Sequence, residues 1–119
     1  MRAALLCALL CAPVAAHAGD PWSRGDKVRE ALYLAVTAAD MGQTLDIHNH
    51  PGFSETNRIL GPYPERGKVV AYFIGTALAH IGIVEALPSK LRPLFQTVTI
   101  IYEADAVNSN RQLGLHFNF

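Results

Sequence analysis

The feature that most constrains this chain is the apolar run over residues 69–87, VVAYFIGTALAHIGIVEAL, which ends at Pro88. Only Thr76, His80 and Glu85 interrupt it. Proline cannot continue a helix, so the run predicts one of about 19 residues, close to the roughly 20 that a membrane span needs. Its small residues Ala71, Gly75, Ala79, Gly82 and Ala86 recur at steps of four and three. Such stripes let helix backbones approach closely where lipid removes the hydrophobic drive.

A second helix is predicted over residues 27–47, with Ser23 or Asp26 as its cap and Glu30 in its first turns, where the dipole favours an acid. It carries a small stripe, Ala31, Ala35, Ala38 and Gly42, beside a more polar one, Tyr33, Thr37, Asp40 and Thr44. Two small stripes on consecutive segments predict an antiparallel hairpin packed through them. An alanine-rich soluble helix is the alternative. Residues 48–68 connect the two through Pro51-Gly52, Gly61-Pro62 and Pro64. A connection this long is expected to be functional or to hold a short helix, and residues 54–60 with Ser54 as cap fit one turn.

Beyond Pro88, Pro93 suits the first position of a third helix. Residues 94–107 read two ways. Helical spacing aligns Leu94, Val98, Ile101 and Asp105, whereas alternation and β-propensity fit a strand. Length after the proline favours the helix. The tail LGLHFNF alternates like the last strand of an outer-membrane barrel, but the repeated ten-residue segments of a barrel are missing. It is expected to lie extended, with its Leu and Phe side chains on the bundle. The fold expected is therefore all-α, a three-helix bundle (a hairpin plus a third helix) with a short extended tail.

The first residues read as a secretory signal. Arg2 supplies the positive end, residues 3–16 are apolar, and Ala16-His17-Ala18 fits the A-x-A cleavage rule. Residues 1–18 are thus expected to be removed, leaving a single domain over 19–119; an uncleaved anchor is the alternative. Cleavage takes Arg2 away, so ten basic residues become nine against ten acidic, a net charge of −1. Cys7 and Cys11 both lie in the signal, so the mature chain has no disulfide. Leu10 argues against lipidation at Cys11. No basic run or nucleic-acid signature is present, which excludes that partner class.

Two constellations could carry chemistry. His48 and His50, with Glu55 and Asp46 near them, have metal-like character, two imidazoles that a carboxylate could complete, though exposed loop histidines are the plainer reading. Asp40 faces His80 across the expected hairpin within about one turn. The pair reads either as a proton relay or, preferably, as part of an interhelical network of Asp40, Gln43, Thr44, Thr76, His80 and Glu103. Glu55 and Asn57 are expected to cap the flanking helix ends. Ser54, His80 and Asp40 lack a nucleophile elbow, and residues 61–67 lack a phosphate-loop ending. The chain leans away from enzymes, and no cofactor is implied.

The pattern Asp40-x-x-Gln43-Thr44, His50-Pro51, Glu55-x-Asn57-x-Ile59-Leu60-Gly61 resembles a family of small bacterial and prophage-encoded proteins with no assigned function. Further matching positions run from Gly67-Lys68-Val69 through Tyr72-Phe73, His80, Leu87-Pro88 and Gln96-x-Val98-Thr99-Ile100 to Glu103. Arg58 stands where such proteins typically have proline. The resemblance implies a helical, membrane-associated protein and brings no activity.

Together these features point to an exported protein of the bacterial envelope, in the inner membrane or periplasm, with a structural or interaction role. A protein partner or a second copy is left open. Alternatives are a phage-derived membrane effector (lysis or superinfection exclusion) and a small metal-dependent enzyme on His48, His50 and Glu55. For three spans, Arg24, Lys27, Arg29, Lys90 and Arg92 fall on one side and Arg58, Arg66, Lys68 and Arg111 on the other. Five against four gives no orientation and favours a peripheral or singly inserted chain.

Overall fold

A computed structural model describes residues 20–119; the expected signal peptide and both cysteines lie outside them. Three helices follow one another up, down and up: α1 (Arg24–Asp46), α2 (Arg66–Ala86) and α3 (Arg92–Gln112). Among the described residues there is no strand, so the reading of 94–107 as helix holds. α1 is the central element. It packs most extensively on the parallel α3, less on α2, while α2 and α3 barely meet.

Local chemistry sets the helix ends. Ser23 and Asp26 form a reciprocal capping box: the Ser23 hydroxyl accepts the Asp26 N–H at 3.0 Å and the Asp26 carboxylate accepts the Ser23 N–H at 2.9 Å. α2 stops at Ala86, with Leu87 turning to extended backbone before Pro88. Pro93 is the second residue of α3 rather than its first, because Arg92 opens the helix.

The Arg92 side chain is fully buried and closes the end of α2. Its Nε donates to the carbonyls of Val84 (2.9 Å) and Leu87 (3.1 Å), and its Nη2 to that of Asp20 (2.9 Å). The last carbonyls of a helix have no partner within it, and here a guanidinium supplies one.

The faces by which the helices pack differ from the expected ones. Ala31, Ala35 and Ala38 are exposed, as are Ala71, Gly75, Ala79, Gly82 and Ala86. A Cβ built at Gly75 or Gly82 would meet nothing within 4 Å, so the small stripes are not the hairpin contact. α1 instead buries its polar stripe, Asp26, Glu30, Tyr33 and Thr37, with Asp40 half-buried and Thr44 buried. The steps are four, three, four, three and four, the period of a helix-packing seam. α2 buries Val69, Phe73, His80 and Val84. The expectation failed because smallness was taken as the mark of an interface, when hydrogen-bonding demand decided which face turned inward.

What remains outside is apolar. Val28 and Leu32 of α1, Ile74 and Leu78 of α2, and Leu94, Val98, Ile101 and Tyr102 of α3 are all between 45 and 65% exposed. Exposed charges lie only beyond them: Arg24 and Lys27, Arg66, Lys68 and Glu85, Asp105 and Arg111. The belt free of exposed charge covers residues 28–45, 69–84 and 94–104; the charged residues within it, Arg29, Glu30, Asp40 and Glu103, are buried or half-buried. On α2 it is 16 residues long, about 24 Å at 1.5 Å per residue. α2 is the one described helix long and apolar enough to cross a membrane, and only 22% of that apolar window is buried.

Among the described residues the apolar core cluster lies at the loop end, where Leu45, Leu60, Val69 and Phe73 meet with Met41 and Tyr72 against them. The connecting loop holds no helical turn at 54–60. It has a short 3-10 turn, Ile47–Asn49, an irregular stretch over 53–57, and a tight turn that places the buried Leu60. Asn57 holds that turn: its carbonyl accepts the N–H groups of Leu60 and Gly61, and its side-chain oxygen accepts the Ile59 N–H at 2.9 Å. Gly61 adopts φ +80°, which a side chain would resist. The tail lies extended along the C-terminal end of α1. The Asn118 N–H reaches the Gly42 carbonyl at 3.0 Å, Leu115 is buried, and the Phe119 ring covers Gly42.

Candidate functional site

The seam between α1 and α3 is polar along its whole length, and His80 of α2 joins it. Its first half is closed on itself. The Glu30 carboxylate meets His80 Nδ1 at 2.8 Å through one oxygen and accepts from Gln96 Nε2 at 3.0 Å through the other. Gln96 also donates to the Asp26 carbonyl and accepts from Arg29 Nε at 3.0 Å. Arg29 in turn meets the Asp26 carboxylate at 2.6 Å, with Arg92 at 3.8 Å on its other side. His80 Nε2 lies 2.8 Å from the Thr99 hydroxyl. The imidazole is sandwiched between Tyr33, at 3.5 Å between ring centroids, and Phe95, at 4.8 Å.

In this arrangement one proton sits between Glu30 and His80 Nδ1. The Thr99 hydroxyl donates to the Phe95 and Gln96 carbonyls at 3.0 Å and so accepts from His80 Nε2, which leaves both ring nitrogens bonded. Each acid in this half has a basic neighbour. Burial of two carboxylates is tolerable on those terms and costly on any other.

The second half, towards the loop, is built differently. Asp40 accepts from Asn110 Nδ2 at 2.8 Å, and Gln43 Nε2 donates to the Val107 carbonyl at 3.1 Å. Among the described residues the buried Gln43 Oε1 and Glu103 Oε2 have no hydrogen-bond partner. Among the described residues the ion pairs are Arg29–Asp26, Arg92–Asp26, His80–Glu30 and His50–Asp46, so Asp40, Glu55 and Glu103 meet no cation.

The expected six-residue network is thus divided. His80 bonds to Glu30 and Thr99, while Asp40, Gln43, Thr44 and Glu103 lie in the other half and Thr76 is half-buried on α2. Asp40 and His80 do not bond to each other. The main partners, Glu30, Gln96, Thr99, Arg92 and Asn110, were missed. Their signal was the register: Arg92, Gln96, Thr99, Glu103 and Asn110 fall at helical steps on one face of α3, matching the polar stripe of α1.

The loop residues do not assemble a metal centre. His48 Nε2 lies 2.9 Å from the Pro64 carbonyl, His50 Nε2 2.9 Å from Asp46, and Glu55 accepts the Asn57 N–H at 2.8 Å. Among the described residues no group of three His, Cys, Asp or Glu side chains is placed to hold a metal ion. Glu55 and Asn57 serve the backbone of their own loop, not the flanking helix ends.

Asp46, just beyond the belt, is the hub of this end. It accepts from Asn49 Nδ2, from His50 and from the His116 N–H, the last at 2.8 Å, which ties the tail down. The Asn49 and His116 bonds, helped by His50, outweigh burial and hold its carboxyl at about 2, below the ordinary 3.8. Beside it a cleft of about 380 Å³ opens between the loop, the end of α3 and the tail.

Compared with protein-family models, with curated proteins and with solved structures, the chain has no significant match.

Proposed function

We propose that this chain is an exported, membrane-embedded protein of the bacterial envelope with a structural or interaction role. The observation that carries the reading is the inversion of polarity. The bundle seam holds Asp26, Glu30, Thr37, Gln43, His80, Arg92 and Gln96, while leucine, isoleucine and valine line the outside. Water would reward the opposite arrangement. In hydrocarbon the polar groups must find one another inside and the apolar ones face the solvent.

The remaining observations agree with that environment. The belt is about 24 Å long on α2 and about 17 Å on α3, where the exposed Asp105 ends it, against a hydrocarbon core of about 30 Å; local thinning and the flanking charged side chains reaching outward would have to make up the difference. Trp22 lies at one end of the bundle, donating its indole N–H to Glu85; Tyr63, Phe117 and Phe119 lie at the other, as interfacial aromatic residues do. α1 and α3 are too polar by composition to read as spans, yet the acids responsible, Asp26, Glu30, Asp40 and Glu103, sit in the seam. The cation balance that favoured a peripheral chain loses Arg29 and Arg92 to interior bonds.

Site-directed labelling tests the reading. With the two signal cysteines removed by cleavage or replaced by serine, a lone cysteine at Leu78 should resist a water-borne maleimide in intact vesicles, and one at Arg58 should react. Equal labelling at both positions would contradict membrane embedding.

A further inference from the structure

We propose that the cleft at the loop end binds an ammonium group carried on an apolar body. This stands apart from the membrane reading, because the cleft exists whatever surrounds the belt. Its volume, about 380 Å³, is that of a small-molecule site. Ile47, Phe53 and Leu115 give it an apolar floor, and Ile47 and Leu115 are themselves buried. Its rim is made of acceptors and hydroxyls. Glu55 uses one carboxylate oxygen on the Asn57 N–H and forms no ion pair. Asn110 donates its amide to Asp40, so its carbonyl oxygen is the end left for a ligand. Among the described residues no basic side chain lines the cleft, and Asp40, which accepts from Asn110, also meets no cation.

This charge pattern selects the ligand. A carboxylate or phosphate would meet the Glu55 carboxylate with no cation to offset the repulsion, only neutral hydroxyls. A neutral apolar molecule would leave the Glu55 carboxylate desolvated and unpaired. An ammonium satisfies Glu55, with Ser109 and Asn110 as further acceptors, while its apolar part covers Phe53 and Leu115. Free amines and the headgroup of an aminophospholipid share this chemistry.

The test is saturation-transfer NMR of the full chain in phosphatidylglycerol nanodiscs. The probes are cyclohexylammonium, cyclohexanol and cyclohexanecarboxylate. Cyclohexylammonium should bind and the carboxylate should not. Glu55→Gln, which keeps the acceptor for Asn57, should weaken the ammonium about tenfold. Ser109→Lys should abolish its binding by placing an ammonium in the cleft, and this exposed position makes no demand on the fold. Repeating the titration with phosphatidylethanolamine present identifies the source: loss of the signal points to the lipid headgroup, persistence to a free amine. Cyclohexanol binding as well as cyclohexylammonium, or Glu55→Gln leaving its affinity unchanged, would overturn the proposal. A chain that leaves the nanodiscs sinks the membrane reading alone, and the same titration in buffer still decides the cleft.

Discussion

Replacing Arg92 by methionine keeps the length of the side chain and removes its donors. Two N–H groups matter most: Nε–H, shared between the Val84 and Leu87 carbonyls at 2.9 and 3.1 Å, and the Nη2–H to the Asp20 carbonyl at 2.9 Å. Weaker contacts reach Pro21 and Glu85 at 3.3 and 3.4 Å. Hydrogen bonds from a charged donor contribute about 1.5–3 kcal/mol each, and the orphaned carbonyls have little water to turn to. Arg92→Met should therefore cost about 3–5 kcal/mol. The Asp26 carboxylate keeps the Ser23 N–H and Arg29, so no isolated charge adds to that figure. Arg92→Lys restores a charge on one point donor and should recover about half. For a domain of this size each kcal/mol shifts the melting point by roughly 4–8 °C, so thermal unfolding in mild detergent should show Arg92→Met lower by at least about 12 °C. A loss below about 1 kcal/mol would refute the view that this guanidinium holds the ends of α2 and α3 together.

Three further outcomes follow from the packing. Glu103→Leu removes a buried oxygen with no partner and should leave stability unchanged or raise it by about 1 kcal/mol, read by the same thermal scan; a loss above 2 kcal/mol would mean that Glu103 is bonded in the folded state. Gly75→Leu should not destabilise the isolated protein, because its side chain would point into open space; a drop of several degrees would restore the small-residue stripe as a contact. The Asp46 clasp on the tail should depend on acid. The folded carboxyl titrates at about 2, below its ordinary 3.8, so its stabilising contribution is complete above about pH 4 and lost as pH falls towards 2. Hydrogen exchange at the His116 amide, corrected for its intrinsic rate, should accelerate over that window; constant protection from pH 6 to 2 would contradict the clasp.

The helices were legible because their punctuation is local. Ser23 and Asp26 mark the first cap, Pro88 stops the apolar run, and Pro93 marks the first turn of the next helix. The tail was legible through its alternation. The packing faces were not, because a small residue and a buried residue look alike when the surrounding solvent is unknown. Ala71, Gly75 and Ala79 could line a contact or face lipid; Glu30 and Gln96 could face water or each other. The polar stripe Tyr33, Thr37, Asp40 and Thr44 was visible, but only its extension to Asp26 and Glu30, matched by the register of α3, shows it to be the seam. The loop was harder still. His48, His50 and Glu55 suggest convergence in sequence, whereas Pro64, Asp46 and Asn57 draw them apart in space.

Inverted polarity is the central claim, and carbonate extraction of fractionated cells tests it most directly. The untagged chain should stay in the membrane pellet at alkaline pH, with Gly19 first when its N-terminus is read by mass spectrometry. Release into the supernatant as a folded, monodisperse helical protein would mean that the belt of Leu32, Ile74, Leu78 and Ile101 faces water, and the account would fall.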